Sequence, residues 1–349
     1  MKPIPKRVRR RLVDASRTAG ASRLARHLVR TVGWLDHNAP PSLTILTYHR
    51  VAAVDAEPTL APTMLSATPE EFDDQLAMVS ELTTPVTIGQ VRQWVDHGVA
   101  LPPRPLLVTF DDAYRGFAEV AWPRLRDRRI PAVMFVATAY PDHPELSFWW
   151  DEVWLAISTG DEHRVRAVLA DAGVRDVPVG DAVVALKATR DRLWQMSPSD
   201  AESTVRRLAE ECGGQPSRGA VMGWDSLQQL ACEGLAVGAH THTHPLLTKL
   251  GTPAAQREIR QSIDLIAEHG FDDADVLAYP GGDHDDRIRA VASASGCAMA
   301  MTTTRGVNRL RDADPLRLRR INVGRTTSPA VLAAELAGSL ARSDRWAGP

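Results

Sequence analysis

With 349 residues and an apolar content of 44%, the chain can bury a large core, as one barrel or as two ordinary domains. A formal net charge of −2 offers no global attraction to nucleic acid, and an aromatic fraction of 5% argues against a wide cleft lined by many rings. Three distant cysteines, Cys212, Cys232 and Cys297, describe neither a disulfide scaffold nor a zinc knuckle and read as buried thiols of a reduced compartment.

Residues 1–40 are strongly basic, with Arg7, Arg9, Arg10 and Arg11 set among Val8, Leu12 and Ala15 at helical spacing. This segment reads either as an outer helix with a solvated basic face or as a helix lying on an anionic membrane surface. No apolar stretch follows the basic start, so a secretion signal is not expected. The expected location is cytoplasmic, with peripheral contact at the inner membrane face as the second option. No run reaches the ~20 apolar residues of a membrane helix.

Seven short apolar runs then read as strands: Leu43–Tyr48, Leu106–Phe110, Ala132–Thr138, Leu235–Ala239, Val276–Tyr279, Cys297–Met301 and Leu318–Val323. Helical patterns separate most of them. Thr68-Pro69-Glu70-Glu71 is a helix start with a capping box, followed by Phe72, Leu76 and Val79 as its apolar face. Further helices are predicted from Trp224, over Arg257–His269 and over Asp286–Ser295. The alternation predicts a parallel α/β fold, and seven strands suggest a small, incomplete barrel within residues 41–345. Residues 141–219 break the rhythm. Their helical pattern and Trp149, Trp150, Trp154 and Trp194 predict a helical insertion that can roof a cleft.

Four strand ends carry candidate chemistry. "HTHTHP" places His240, His242 and His244 after a buried strand, with Pro245 ending regular structure. "TFDD" leaves Asp111 and Asp112 beyond the second strand, where a charged pair is costly unless it meets a cation or hydrogen bonds. One acid can ligate a metal while its neighbour faces the metal's water. Asp112 with His240 and His244 would form a two-His, one-carboxylate site if the chain turns after His240, since an extended path would spread the pair by about 13 Å. A pair of His240 and His242 is the alternative; otherwise His242 supports the ligands from behind or lines the cleft. "AYPGG" forms a tight turn in which the Gly281 N–H is a candidate oxyanion donor, and "TYHR" places His49 at the same rim.

Together these segments resemble the polysaccharide deacetylase family, also called the NodB-homology or carbohydrate esterase 4 family. "TFDD" is similar to its first motif, which implies Asp111 as general base and Asp112 as metal ligand. "HTHTHP" is similar to its histidine motif, which implies metal binding by His240 and His244. "AYPGG" is similar to its third motif. The resemblance runs from about Thr44 to Val323, apart from the insertion. It implies a distorted, incomplete (β/α)7 barrel with a helical insertion. It also implies a metal-dependent hydrolase of carbon–nitrogen bonds, with Zn2+ as the first choice of ion. The implied substrate is an N-acetylated glycan or lipid-linked sugar.

Two departures stand out in the third motif: Ala278 occupies the place of the arginine that orients the base, and Gly281 that of the usual tyrosine, which is harmless if only its N–H is used. The late Leu-x-His motif that supplies the acid has no counterpart. A branch that deacetylates poly-N-acetylglucosamine instead uses the histidine of a "YH" strand end, which makes His49 the acid. Arg320 is the candidate to stand in for the orienting arginine. An O-acetyl esterase or N-deformylase acting on a lipid-linked sugar would use the same site, and a glycan-binding protein of reduced activity is the non-enzymatic alternative.

Overall fold

The computed structural model describes residues 41–175, 177, 180–213 and 218–336. The basic segment 1–40 and residues 337–345 of the expected barrel domain lie outside the described residues. All seven expected strands form, as β1 (Ser42–Tyr48), β2 (Pro105–Asp111), β3 (Ala132–Val136), β4 (Ala236–Ala239), β5 (Val276–Ala278), β6 (Met299–Arg305) and β7 (Leu318–Asn322). They pair in parallel in chain order, and β1 pairs with both β2 and β7, so the ring closes although it is one strand short of the eight-stranded barrel. Closure is uneven. β1 and β2 align from Thr44↔Leu106 to Tyr48↔Phe110, whereas β1 meets β7 only at Leu46↔Ile321 and Thr47↔Asn322.

The two-residue period of the strands sorts their side chains. Leu46, Tyr48, Leu106, Val108 and Phe110 point outward into a core shared with the surrounding helices. Leu43, Ile45, Leu107, Met299, Met301 and Leu318 point inward, and helix Ile88–His97 adds Ile88 and Val91 to that inner cluster. Moving along the same inward positions toward the strand ends, the chemistry changes. Ile45 gives way to Thr47, Leu107 to Thr109 and Asp111, and Leu318 to Arg320. The barrel is thus apolar at one end and polar at the other, where the strand ends open.

The capping box at Thr68 is present, with Glu71 N–H donating to Thr68 Oγ1 at 3.2 Å and Thr68 N–H to the Glu71 carboxylate at 2.8 Å. Helix Thr252–Glu268 starts five residues before the expected Arg257, because Gly251 caps it and Pro253 fits its first turn. Cys212 and Cys297 are buried as expected, but Cys232 is exposed at the end of helix Trp224–Cys232.

Between β3 and β4 the insertion forms four helices, Trp149–Thr159, Glu162–Asp171, Ala182–Leu193 and Pro198–Cys212. They surround their own apolar cluster, which includes Phe148, Trp150, Val153 and Leu208. Trp194 is not one of its buried anchors. The residue is 38% exposed, with the Arg190 guanidinium 4.9 Å from the centre of its ring. Among the described residues, no helix is long and apolar enough to cross a membrane.

Candidate metal centre

The residues singled out at the strand ends converge because the backbone turns sharply there. Asp112 and Ala113 have φ of +72° and +52°, and Thr241 and His244 have φ of +64° and +62°. Left-handed backbone is unfavourable for residues other than glycine and clusters where function fixes a geometry. The turn after β4 brings the His240 and His244 rings to 4.7 Å between centres. Both present Nε2 to Asp112 Oδ1, at 3.6 Å and 3.5 Å.

This donor set fits a divalent cation. Asp112 is 1% exposed, and neither of its carboxylate oxygens has a hydrogen-bond partner. Burial, reinforced by the negative charges of Asp111 and Asp151, pushes its pKa well above the usual carboxylate range. Such a group is expensive unless a cation compensates it. Burial also pushes His240 and His244 below the usual histidine range, which keeps a lone pair available on each ring. The Nδ1–H of His240 donates to the Ala278 carbonyl at 2.7 Å, so Nε2 is the free ligand nitrogen. The three ligand atoms lie within 4.8 Å of one another. The two nitrogen–oxygen separations are close to the edge of a tetrahedron with zinc-like bonds, about 3.4 Å.

Asp111 lies beside this group in a different environment. Arg320, fully buried inside the barrel, donates from both terminal nitrogens to the two Asp111 oxygens, each at 2.8 Å. The same guanidinium reaches Thr47 Oγ1 at 2.9 Å and the Thr302 carbonyl at 2.9 Å. Burial alone would raise the Asp111 pKa. The charge and hydrogen bonds of Arg320, with smaller help from His240 and His49, outweigh it and hold the carboxyl below its usual range. Arg320 therefore reaches across the barrel to the carboxylate that Ala278 has no side chain to hold.

His49 and Gly281 open onto the same cavity, of about 1320 Å³. His49 is pinned through its backbone N–H to Ser66 Oγ at 2.9 Å, and burial, partly offset by Asp111, lowers its pKa to about 4. Gly281 has φ +61° in the Pro280–Gly282 turn, and a β-carbon there would lie 3.2 Å from Leu246 Cδ2. His242 stands apart from the three-residue group. Its ring nitrogens face Thr138 Oγ1 and Gln261 Nε2, each at 3.0 Å. The insertion lines the cavity with Trp149, Trp150, Leu186, Arg190 and Trp194.

Two supports were not evident from sequence. One is the Ala278 carbonyl on His240, a backbone group that any residue would offer. The other is Glu258, whose carboxylate accepts the N–H groups of His242 and Thr243 at 3.0 Å and 2.8 Å and so braces the histidine turn. Its position on helix Thr252–Glu268 carries no local signal.

Residues 184–300 match the family model described as polysaccharide deacetylase. No curated protein matches the chain. Among solved structures, the Streptococcus pyogenes deacetylase PplD in complex with acetate aligns over 85% of this chain and 99% of its own, at 18% identity and a TM-score of 0.57. IcaB from Ammonifex degensii covers 85% and 97%, at 17% identity and a TM-score of 0.54. The de-N-acetylase from Aggregatibacter actinomycetemcomitans covers 84% and 98%, at 13% identity and a TM-score of 0.53. At these identities the structural likeness speaks for the fold alone, while the segment 184–300, about a third of the chain, is similar to the polysaccharide deacetylase family.

Proposed function

We propose that this protein is a metal-dependent hydrolase that removes N-acetyl groups from an amino-sugar-containing glycan or glycolipid. The observation that carries the proposal is the pairing of two adjacent carboxylates in opposite environments. Asp112 is buried without a donor and faces two imidazole nitrogens, while Asp111 is clamped by Arg320.

Asp112, His240 and His244 would hold the ion. A divalent cation such as Zn2+ supplies Lewis acidity there, acidifying water and polarising the acetyl carbonyl. Asp111, kept ionised by Arg320, takes the proton of the attacking water. The Gly281 N–H donates to the oxygen that becomes negative, and one such donor is worth roughly 3–4 kcal/mol in the transition state. The departing nitrogen cannot leave as an amide anion and needs a proton, which His49 delivers. A histidine lowered to about pKa 4 starts out neutral, so His49 must first take up the proton it donates. The products are acetate and a free amine. Arg320 also supplies what the missing motif arginine would, which weighs against a protein that only binds glycans.

The test is acetate release from an N-acetylated amino-sugar substrate by zinc-loaded protein. Asp111→Asn should keep the metal and lose turnover; unchanged turnover would reject Asp111 as base. Asp112→Ala and His244→Ala should lose the metal, and full zinc occupancy in either would overturn the ligand assignment. The basic segment 1–40 is our proposed contact with anionic lipid at the cytoplasmic face. Sedimentation with anionic vesicles at low and high salt tests it, and no binding at low salt would remove it.

A further inference from the structure

The two histidines of the candidate centre are held in different ways. His240 is oriented by a hydrogen bond from its outer nitrogen to the Ala278 carbonyl. The outer nitrogen of His244, Nδ1, is buried and has no hydrogen-bond partner. Its ring is instead met by aromatic side chains of the insertion. Trp150 lies 4.9 Å away at 71° and Phe148 5.7 Å away at 73°, both edge-to-face. Phe148 stacks flat on Trp150 at 4.5 Å, and Tyr140 stacks on Phe148 at 4.2 Å.

Trp150 is fixed in turn. Its indole N–H donates to Tyr114 Oη at 2.7 Å, and the Tyr114 hydroxyl donates to Asp151 Oδ2 at 2.8 Å. The other oxygen, Asp151 Oδ1, accepts the Ala61 N–H at 2.6 Å. Tyr114 follows Asp112 by two residues, and the chain just after the insertion clasps the same loop. Arg115 N–H donates to the Ala220 carbonyl at 2.7 Å, and Met222 N–H to the Ala113 carbonyl at 2.9 Å. One buried network therefore touches the loop of the carboxylate ligand and the ring of a histidine ligand.

We infer that Trp150, locked by Tyr114 and Asp151, is a positioning residue of the metal centre that sets the His244 ring by packing where no hydrogen bond does. The helical insertion is then part of the cation site as well as a wall of the cavity. This rests on the assignment of Asp112, His240 and His244 as ligands. Groups that orient metal ligands alter affinity because a ring free to turn spends less time aimed at the ion.

The test measures Zn2+ affinity by competition with a chromophoric chelator, beside the melting temperature of the metal-free protein. Trp150→Leu should bind Zn2+ about 10- to 100-fold more weakly than wild type, the range seen when outer supports of a ligand are lost. Trp150→Phe, which keeps an aromatic edge on His244, should recover much of that loss. Leu208→Ala, in the same apolar cluster but outside the cavity lining, should lower the melting temperature and leave affinity unchanged. With Co2+ in place of zinc, the visible spectrum of Trp150→Leu should differ from wild type and that of Leu208→Ala should not. Wild-type affinity in Trp150→Leu would overturn the inference while leaving the ligand assignment intact. Absence of Zn2+ binding by wild type would overturn the assignment and the inference together. If Trp150→Leu does not fold, Tyr114→Phe decides, and unchanged affinity there overturns the inference.

Discussion

Arg320 and Asp111 form an ion pair inside a barrel, at 0% and 3% exposure. Desolvating two charges costs several kcal/mol each, and the site recovers this only because both guanidinium ends reach both oxygens while threonines and a carbonyl take the remaining donors. Removing the guanidinium alone, by Arg320→Met, should destabilise the metal-free protein by about 3–5 kcal/mol in urea unfolding, since it leaves a buried carboxylate without donors. Adding Asp111→Asn should restore part of that loss. A double variant no more stable than Arg320→Met would show that the pair is not what holds these side chains. At this scale the sequence was legible where chemistry sat at a strand end, as with Asp111, Asp112, His240, His244 and His49. Arg320 was harder. Arg317, Arg319 and Arg320 crowd one segment, and only the register of β7, with Leu318 facing the inner cluster, decides which arginine points inward.

Elements place these residues through their ends, and the turn after β5 is the tightest case. Gly282 has φ +72°, and a β-carbon there would lie 2.1 Å from Thr303 Oγ1 and 2.4 Å from the Thr303 nitrogen. Gly282→Ala must therefore move either its own turn or β6, and with it the neighbouring Gly281. We expect a loss of at least 2 kcal/mol in urea unfolding, on the scale of combined strain and overpacking, together with reduced acetate release. A stable, active Gly282→Ala would show that this turn is not needed to aim Gly281. Helix starts were readable when their signals were local, as at Thr68. The start at Gly251-Thr252-Pro253 precedes the expected Arg257 because a glycine cap and a first-turn proline set it, and neither contributes to apolar periodicity. Trp194 looked like an anchor because tryptophan is usually buried, yet the insertion leaves it half open on the cavity.

Across the whole molecule, the insertion and the barrel meet at Asp151, whose pKa burial pushes up to about 7 against the Ala61 N–H, Tyr114 and Arg50. A carboxyl with a raised folded pKa favours the folded state when protonated, and that contribution is lost as pH rises from about 4 through about 7. Relative to Asp151→Asn, the metal-free wild type should therefore lose stability across that window and level off above it, measured by urea unfolding at a series of pH values. A rise instead would mean that the ionised form is the one the network prefers. The barrel itself was legible because its strands are apolar on both faces and alternate with helices. The route of the insertion back onto His244 was not, because it depends on contacts between residues far apart in sequence.

The seam between β1 and β7 has a consequence for how the protein is made. The strand that shuts the ring comes more than 200 residues after the carboxylate that Arg320 secures, as the spacing of Asp111 and Arg320 shows. A growing chain released before residue 318 would keep a bare β6 edge, a β1 edge covered only at Ser42 and Leu43 by Asn308 and Arg309, and an acid lacking its counter-charge. The candidate site is thus incomplete until β7 itself has been made, and a chain that stops short of it leaves an open sheet prone to stick to its neighbours.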